Sequence, residues 1–199
     1  MESIEIRKSH FYVLVSVVAV VSLAALFFFS GSNSQELGAI SSGITLDERF
    51  EVLSNSRTSL CAGPEFINGK QDDESLQGAC CSAMDFHRYS EQVEGLKKYA
   101  SFDAIPPDPY DIPVPLANRL LDYQKTISLT IEQQEIYDGA VKLSHEGGPC
   151  CCKCWRWYAF EGLAKYLITE HGFNAWQIAE VWDLEDGCGG EAHAGEAHA

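Results

Sequence analysis

Residues 11–29 (FYVLVSVVAVVSLAALFFF) are apolar without interruption and carry no charge. At about 1.5 Å of rise per residue they make a helix of ~28 Å, close to the hydrocarbon thickness of a bilayer. The run predicts a transmembrane anchor. Arg7 and Lys8 precede it and the next basic residue is Arg49, so the positive-inside bias keeps residues 1–10 in the cytoplasm as a stub and directs the rest outside. A cleavable signal peptide competes with this reading, because Ser30, Gly31 and Ser32 are small, but the apolar run exceeds the ~7–15 residues of a signal core. Residues 30–44 are small and polar, the composition of a linker.

Beyond the linker the pattern becomes amphipathic. Within residues 82–99, Phe86, Tyr89, Val93 and Leu96 recur at helical spacing, with Asp85 early and Lys97 and Lys98 late, as the helix dipole prefers. Pro106, Pro107, Pro109, Pro113 and Pro115 then forbid a continuous helix and predict an extended spacer. Four more helices follow: residues 116–127; 131–144, with Thr130 and Gln133 as a capping box; 149–171, opened by Pro149; and 175–185, between a left-handed cap at Gly172 and an N-cap at Asn174. Trp155, Trp157, Tyr158, Phe160, Leu163, Tyr166, Leu167, Trp176 and Trp182 are assigned to helix packing. Strand signals are scarce, so the expected class is all-α: a small helical domain over residues 45–189 behind an N-terminal transmembrane helix. Residues 190–199 repeat Gly-Glu-Ala-His-Ala, a polar tail that cannot pack a core.

Composition narrows the function. Of 199 residues 29 are acidic and 14 basic, a formal charge of −15 that repels phosphate backbones, so nucleic acid is excluded as a partner. The membrane, through the N-terminal helix, is the one partner the sequence names; any protein partner is unspecified. Hydrophobic residues at 46% suit a folded domain, and the 8 cysteines are the groups left to carry chemistry.

Four of those cysteines lie together in Pro149, Cys150, Cys151, Cys152, Lys153 and Cys154: four thiols opened by a proline. In a helix begun at Pro149, Cys150 and Cys154 fall about 40° apart and Cys151 about 60° from Cys154, while Cys152 points away. Unpaired N–H groups and the dipole at that end favour thiolate, the form that binds metal or attacks a disulfide. A helix running ~26 Å outward from Cys154, and one returning ~21 Å, bring Cys188 back to the same place. Gly187, Gly189 and Gly190 let the backbone approach closely there, and His145 is a nearby candidate ligand. Cys80 and Cys81 precede the 82–99 helix, with Met84 and His87 further in; Cys61 has no sequence neighbour of its kind.

This pattern predicts a site in which Cys150, Cys151, Cys154 and Cys188 are first ligands, Cys80 and Cys81 a second or joined group, and Cys152 and His145 additional members. Soft sulfur selects copper or zinc. Two other readings stand beside it: structural disulfides in a domain whose proline-rich segment contacts a partner, and a thiol–disulfide oxidoreductase using Cys151 and Cys154. Adjacent cysteines cannot pair with each other easily, since their Cα atoms are ~3.8 Å apart against the usual ~4.4–6.8 Å. Haem attachment, ferredoxin, zinc deaminase, nucleophile-elbow and phosphate-loop motifs are not present. His87 reads as a surface residue, His193 and His198 as part of a solvated tail, and Asp72, Asp73 and Glu74 as a solvated loop.

Tyr137, Asp138, Gly139 and Ala140, followed by the Pro149-to-Cys154 run, resemble the region around the signature of the PCYCGC-motif proteins, which are anchored or secreted. The resemblance covers about 50 residues by spacing and departs at Cys151 and Lys153, where that signature has tyrosine and glycine. Residues 155–167 replace the downstream histidine and cysteine loop of that family. The resemblance implies a cysteine-rich domain outside the cytoplasm.

Overall fold

The computed structural model describes residues 43–190. The stub, the expected anchor at 11–29, most of the linker, and the tail histidines lie outside the described residues. Among the described residues, no helix is long and apolar enough to cross a membrane.

The described chain is mostly helical. Its helices are α1 (Leu46–Asn55), α2 (Phe86–Leu96), α3 (Val114–Thr126), α4 (Ile131–Leu143), α5 (Trp155–His171) and α6 (Ala175–Leu184). Two short strands, β1 (Ser75–Gln77) and β2 (Asp111–Pro113), pair antiparallel with Leu76 opposite Ile112. The proline-rich stretch is thus no plain spacer: it contributes β2, and Pro115 sits in the first turn of α3, where its missing N–H costs nothing.

Local chemistry sets the helix starts. Thr45 and Glu48, Thr130 and Gln133, and Asn174 and Gln177 each form a reciprocal capping box. The Asp85 carboxylate accepts from the Arg88 N–H at 2.8 Å, so α2 begins at Phe86 rather than at residue 82. Gly172 ends α5 in the left-handed conformation, φ 65°. The larger correction is at α5, which begins at Trp155 and not at Pro149; residues 149–154 are a succession of bends.

The main core lies between α3 and α5, where Ala117, Leu120, Phe160, Leu163 and Leu167 are buried. The two backbones touch: a Cβ on Gly162 would lie 2.0 Å from the Leu120 carbonyl oxygen. Tyr123 and Tyr166 stack in parallel at 4.5 Å beside this contact. α6 rests chiefly on α4, with Tyr137 edge-on to Trp182, whose indole N–H donates to the Phe160 carbonyl at 3.0 Å. Trp176, expected in the packing, is instead 63% exposed on α6. A second core of Leu53, Ala79, Tyr89 and Tyr110 joins α1 and α2 to the segment before β2. Arg49 braces it, reaching Asp108 and Asp111 at 2.7 Å each, while the Tyr89 hydroxyl donates to Asp108 at 2.9 Å.

Candidate metal centre

Four chain segments supply the cysteines. β1 leads through Gly78 and Ala79 to Cys80 and Cys81. Residues 80–83 are hydrogen-bonded by their backbone to residues 187–190: the Cys80 N–H donates to the Gly187 carbonyl at 3.1 Å, the Ser82 N–H to Cys188 at 2.7 Å, and the Gly190 N–H to Ala83 at 2.8 Å. Gly189, at φ 80°, is required here, because a Cβ would meet the Ser82 carbonyl oxygen at 2.5 Å. Cys188 is held further by its N–H bond to Asp186 Oδ1 at 3.0 Å, and the Asp186 carbonyl accepts from Gln92 of α2 at 2.7 Å.

The third and fourth segments meet at the start of α5. The Trp155 N–H donates to the Ala62 carbonyl at 2.7 Å, which pins the loop carrying Cys61 against residues 150–154. The Cys154 N–H closes a tight turn onto the Cys152 carbonyl at 2.9 Å. These donors are therefore unavailable to a first helical turn, and Cys154 becomes the N-cap of α5. Facial alignment on a helix is not what gathers the thiols. The bends fold Cys150 and Cys151 back onto Cys188 and turn Cys152 toward Cys61.

All eight sulfurs converge. Cys150 Sγ lies 3.2 Å and Cys151 Sγ 3.0 Å from Cys188 Sγ, and Cys80 Sγ lies 4.0 Å from Cys188 and 3.7 Å from Cys81. Cys61 and Cys152 Sγ are 3.0 Å apart. Cys154 is in hydrogen-bonding reach of Cys150 and Cys80. Three groups, Cys61/Cys81/Cys152, Cys80/Cys81/Cys188 and Cys150/Cys151/Cys152, each have all their sulfurs within 4.8 Å of one another. The spacings exceed the ~2.05 Å of a disulfide bond, and all eight cysteines are free thiols. They suit a shared ion, since tetrahedral coordination with ~2.3 Å metal–sulfur bonds puts sulfurs ~3.8 Å apart. Several cysteine triads are thus positioned to bind a metal ion.

The site is graded from inside to outside. Cys150, Cys154 and Cys188 form a buried floor; Cys80 and Cys152 are half-buried; Cys61, Cys81 and Cys151 are exposed at the rim. Trp157 packs against the buried sulfurs, and the Lys153 ammonium lies 5.4 Å from its ring centroid.

Sulfur–sulfur hydrogen bonds decide where charge resides. Sulfur hydrogen bonds with Cys154, Cys188 and Cys80 shift the Cys150 thiol below its ordinary range. The partners are correspondingly raised: Cys80 and Cys188 chiefly by their bonds to Cys150, and Cys154 likewise. Burial pushes Cys151 up to about 11 and raises Cys152, which also bonds to Cys61. The helix dipole is not the source, because only Cys154 touches the end of α5.

Behind the floor lies Arg156, 1% exposed. Its Nη2 donates to the Pro109 carbonyl at 2.6 Å and its guanidinium sits 5.0 Å from the Trp155 ring centroid. Its Nε and Nη1 have no hydrogen-bond partner among the described residues. A Cβ on Gly187 would lie 2.2 Å from Arg156 Cζ, so any side chain there has to displace the guanidinium. The positive charge favours thiolate at Cys80, against the stronger opposing effect of the sulfur hydrogen bonds. Fully buried Glu185 lies within its field, yet desolvation raises that carboxyl well above its ordinary value.

Of the sequence-predicted ligands, Cys80, Cys81, Cys150, Cys151, Cys152, Cys154 and Cys188 come together. His145 is not part of any sulfur group: its N–H donates to Asp183 at 2.9 Å and its ring approaches Glu146 at 4.0 Å. Sequence reasoning missed Cys61 as a member, and it missed Arg156 and Glu185 behind the floor. No family model, curated protein or solved structure matches the chain.

Proposed function

We propose that this protein binds a soft metal ion, Cu(I) or Zn(II), through cysteine thiolates, and presents that site outside the cytoplasm from an N-terminal membrane anchor. The observation that carries the reading is the convergence of eight free thiols from four chain segments, with sulfur spacings of 3.0–4.0 Å. Soft sulfur without competing carboxylate or imidazole in the groups favours Cu(I) and Zn(II) over hard cations. The rim supplies a path for the ion and the buried floor a dry, low-dielectric seat. The anchor and its orientation rest on residues 11–29 and on Arg7 and Lys8, and they agree with the anchored or secreted PCYCGC-motif proteins that the chain resembles.

Binding proceeds by proton exchange. Each protonated thiol that becomes a ligand forms a sulfur–metal bond and releases its proton to solvent, with no change in oxidation state.

The test is the metal content of the full chain purified in detergent without reductant or chelator, beside a Cys188→Ser variant. Cys188 contacts three other cysteines. Copper or zinc in the wild type, with a loss of at least half in the variant, is the expected result. A metal-free chain with its cysteines paired as disulfides would overturn the reading.

A further inference from the structure

Building on the thiolate reading above, we infer that the site holds a polynuclear Cu(I)–thiolate cluster in which Cys81 and Cys152 are bridging ligands. The three metal-sized groups are not separate. Cys81 belongs both to the group with Cys61 and Cys152 and to the group with Cys80 and Cys188. Cys152 belongs both to the first of these and to the group with Cys150 and Cys151. A sulfur within reach of two ions has lone pairs for both, so shared corners mean bridging.

The grouping also points to the ion. Zinc seeks four sulfurs in a tetrahedron, whereas Cu(I) is content with three in a plane, the size of each of the three groups. Cys154, the eighth, is buried in one cluster with Cys150 and Cys188 and completes the floor beneath the shared groups. A single four-sulfur site would use half of the thiols and leave Cys61 and Cys152 at 3.0 Å from each other without a task.

Eight thiolates carry more negative charge than a few monovalent ions supply. The buried Arg156 guanidinium, with two nitrogens lacking hydrogen-bond partners among the described residues, stands behind Cys80 as a fixed counter-charge. Cu(I) is delivered and retained as Cu(I): each protonated cysteine that becomes a ligand releases one proton, whether it binds one ion or bridges two, the donor ligand departs with its own electron pair, and no electron is transferred.

The experiment is an anaerobic titration of the reduced full chain with Cu(I) held by a competing chelator, read by copper per chain and by copper X-ray absorption. At least three Cu(I) per chain, one for each three-sulfur group, with copper–copper scattering, is expected. Cys81→Ser and Cys152→Ser, the former at the exposed rim, should each lower the stoichiometry by one or more while the far-ultraviolet circular dichroism is unchanged. Saturation at a single Cu(I) without copper–copper scattering overturns the cluster and leaves the thiolate reading standing. Preference for Zn(II) with no competitive uptake of Cu(I) overturns it too. Failure to bind either metal overturns both.

Discussion

Replacing Gly162 with alanine tests whether the frame beneath the site depends on backbone contact between α3 and α5. The new Cβ would lie 2.0 Å from the Leu120 carbonyl oxygen and 2.7 Å from the Gln124 nitrogen, both backbone atoms that cannot swing aside. Restoring an ordinary carbon–oxygen contact needs the helices to part by about 1 Å, a gap that forfeits a quarter to a half of each dispersion well across the interface. Overpacking of this kind costs about 1–3 kcal/mol, and with rigid backbone on the other side the upper end applies. Alanine returns about 1 kcal/mol through helix propensity. The net expectation is a loss of about 2 kcal/mol, or roughly 4–8 °C in Tm for a chain of this size. Gly139→Ala is the comparator: its Cβ would meet only the Ala175 Cβ at 3.0 Å, so a shift of a few tenths of an ångström suffices and the net change stays within about 1 kcal/mol of zero. Urea unfolding of the metal-free, reduced chain, followed by circular dichroism, compares the two variants. A Gly162→Ala chain as stable as the wild type would refute the close-contact argument.

Glu185→Gln should change how stability depends on pH. The folded pKa of Glu185 is raised, first by desolvation, so between its ordinary value and that raised value the folded chain keeps a proton the unfolded chain has lost, and stability falls as pH rises through that window. Glutamine, neutral throughout, removes this slope: the two stability curves should meet near the acid end and separate toward neutrality with the variant above. A variant less stable at neutral pH would show instead that an ionised Glu185 is needed beside Arg156. Arg156→Met should lower stability by about 2 kcal/mol through the lost charged hydrogen bond to Pro109 and the lost contact with Trp155. Its effect on the metal-loaded chain should be larger than on the metal-free one, and equal shifts in Tm would argue against a counter-charge role.

The helical class and most helix limits were legible because local chemistry sets them. Thr130 with Gln133, Asn174 and Gly172 act within one turn of their own position, so spacing alone identifies them. Thr45 with Glu48 carries the same signal, and α1 could have been read from it. The start of α5 was misread for the opposite reason. Pro149 is permitted as a first helical residue, but the Trp155 N–H is claimed by Ala62, far away in sequence. The ribbon of β1 and β2 was invisible because strands this short have no periodicity to show. At the site, helix lengths were enough to bring Cys188 near Cys150, whereas Cys61 joins through loop closure and the Arg156–Glu185 neighbourhood through packing of α5 against the segment after α6, neither of which spacing encodes.

The central claim is that sulfur holds a cation here. Metal-edge X-ray absorption of the full chain, loaded with Cu(I) or with zinc under anaerobic conditions, tests it most directly. A shell made wholly of sulfur at ~2.3 Å is the expected spectrum. A shell of nitrogen and oxygen, or a chain that takes up neither ion with its thiols reduced, would contradict it.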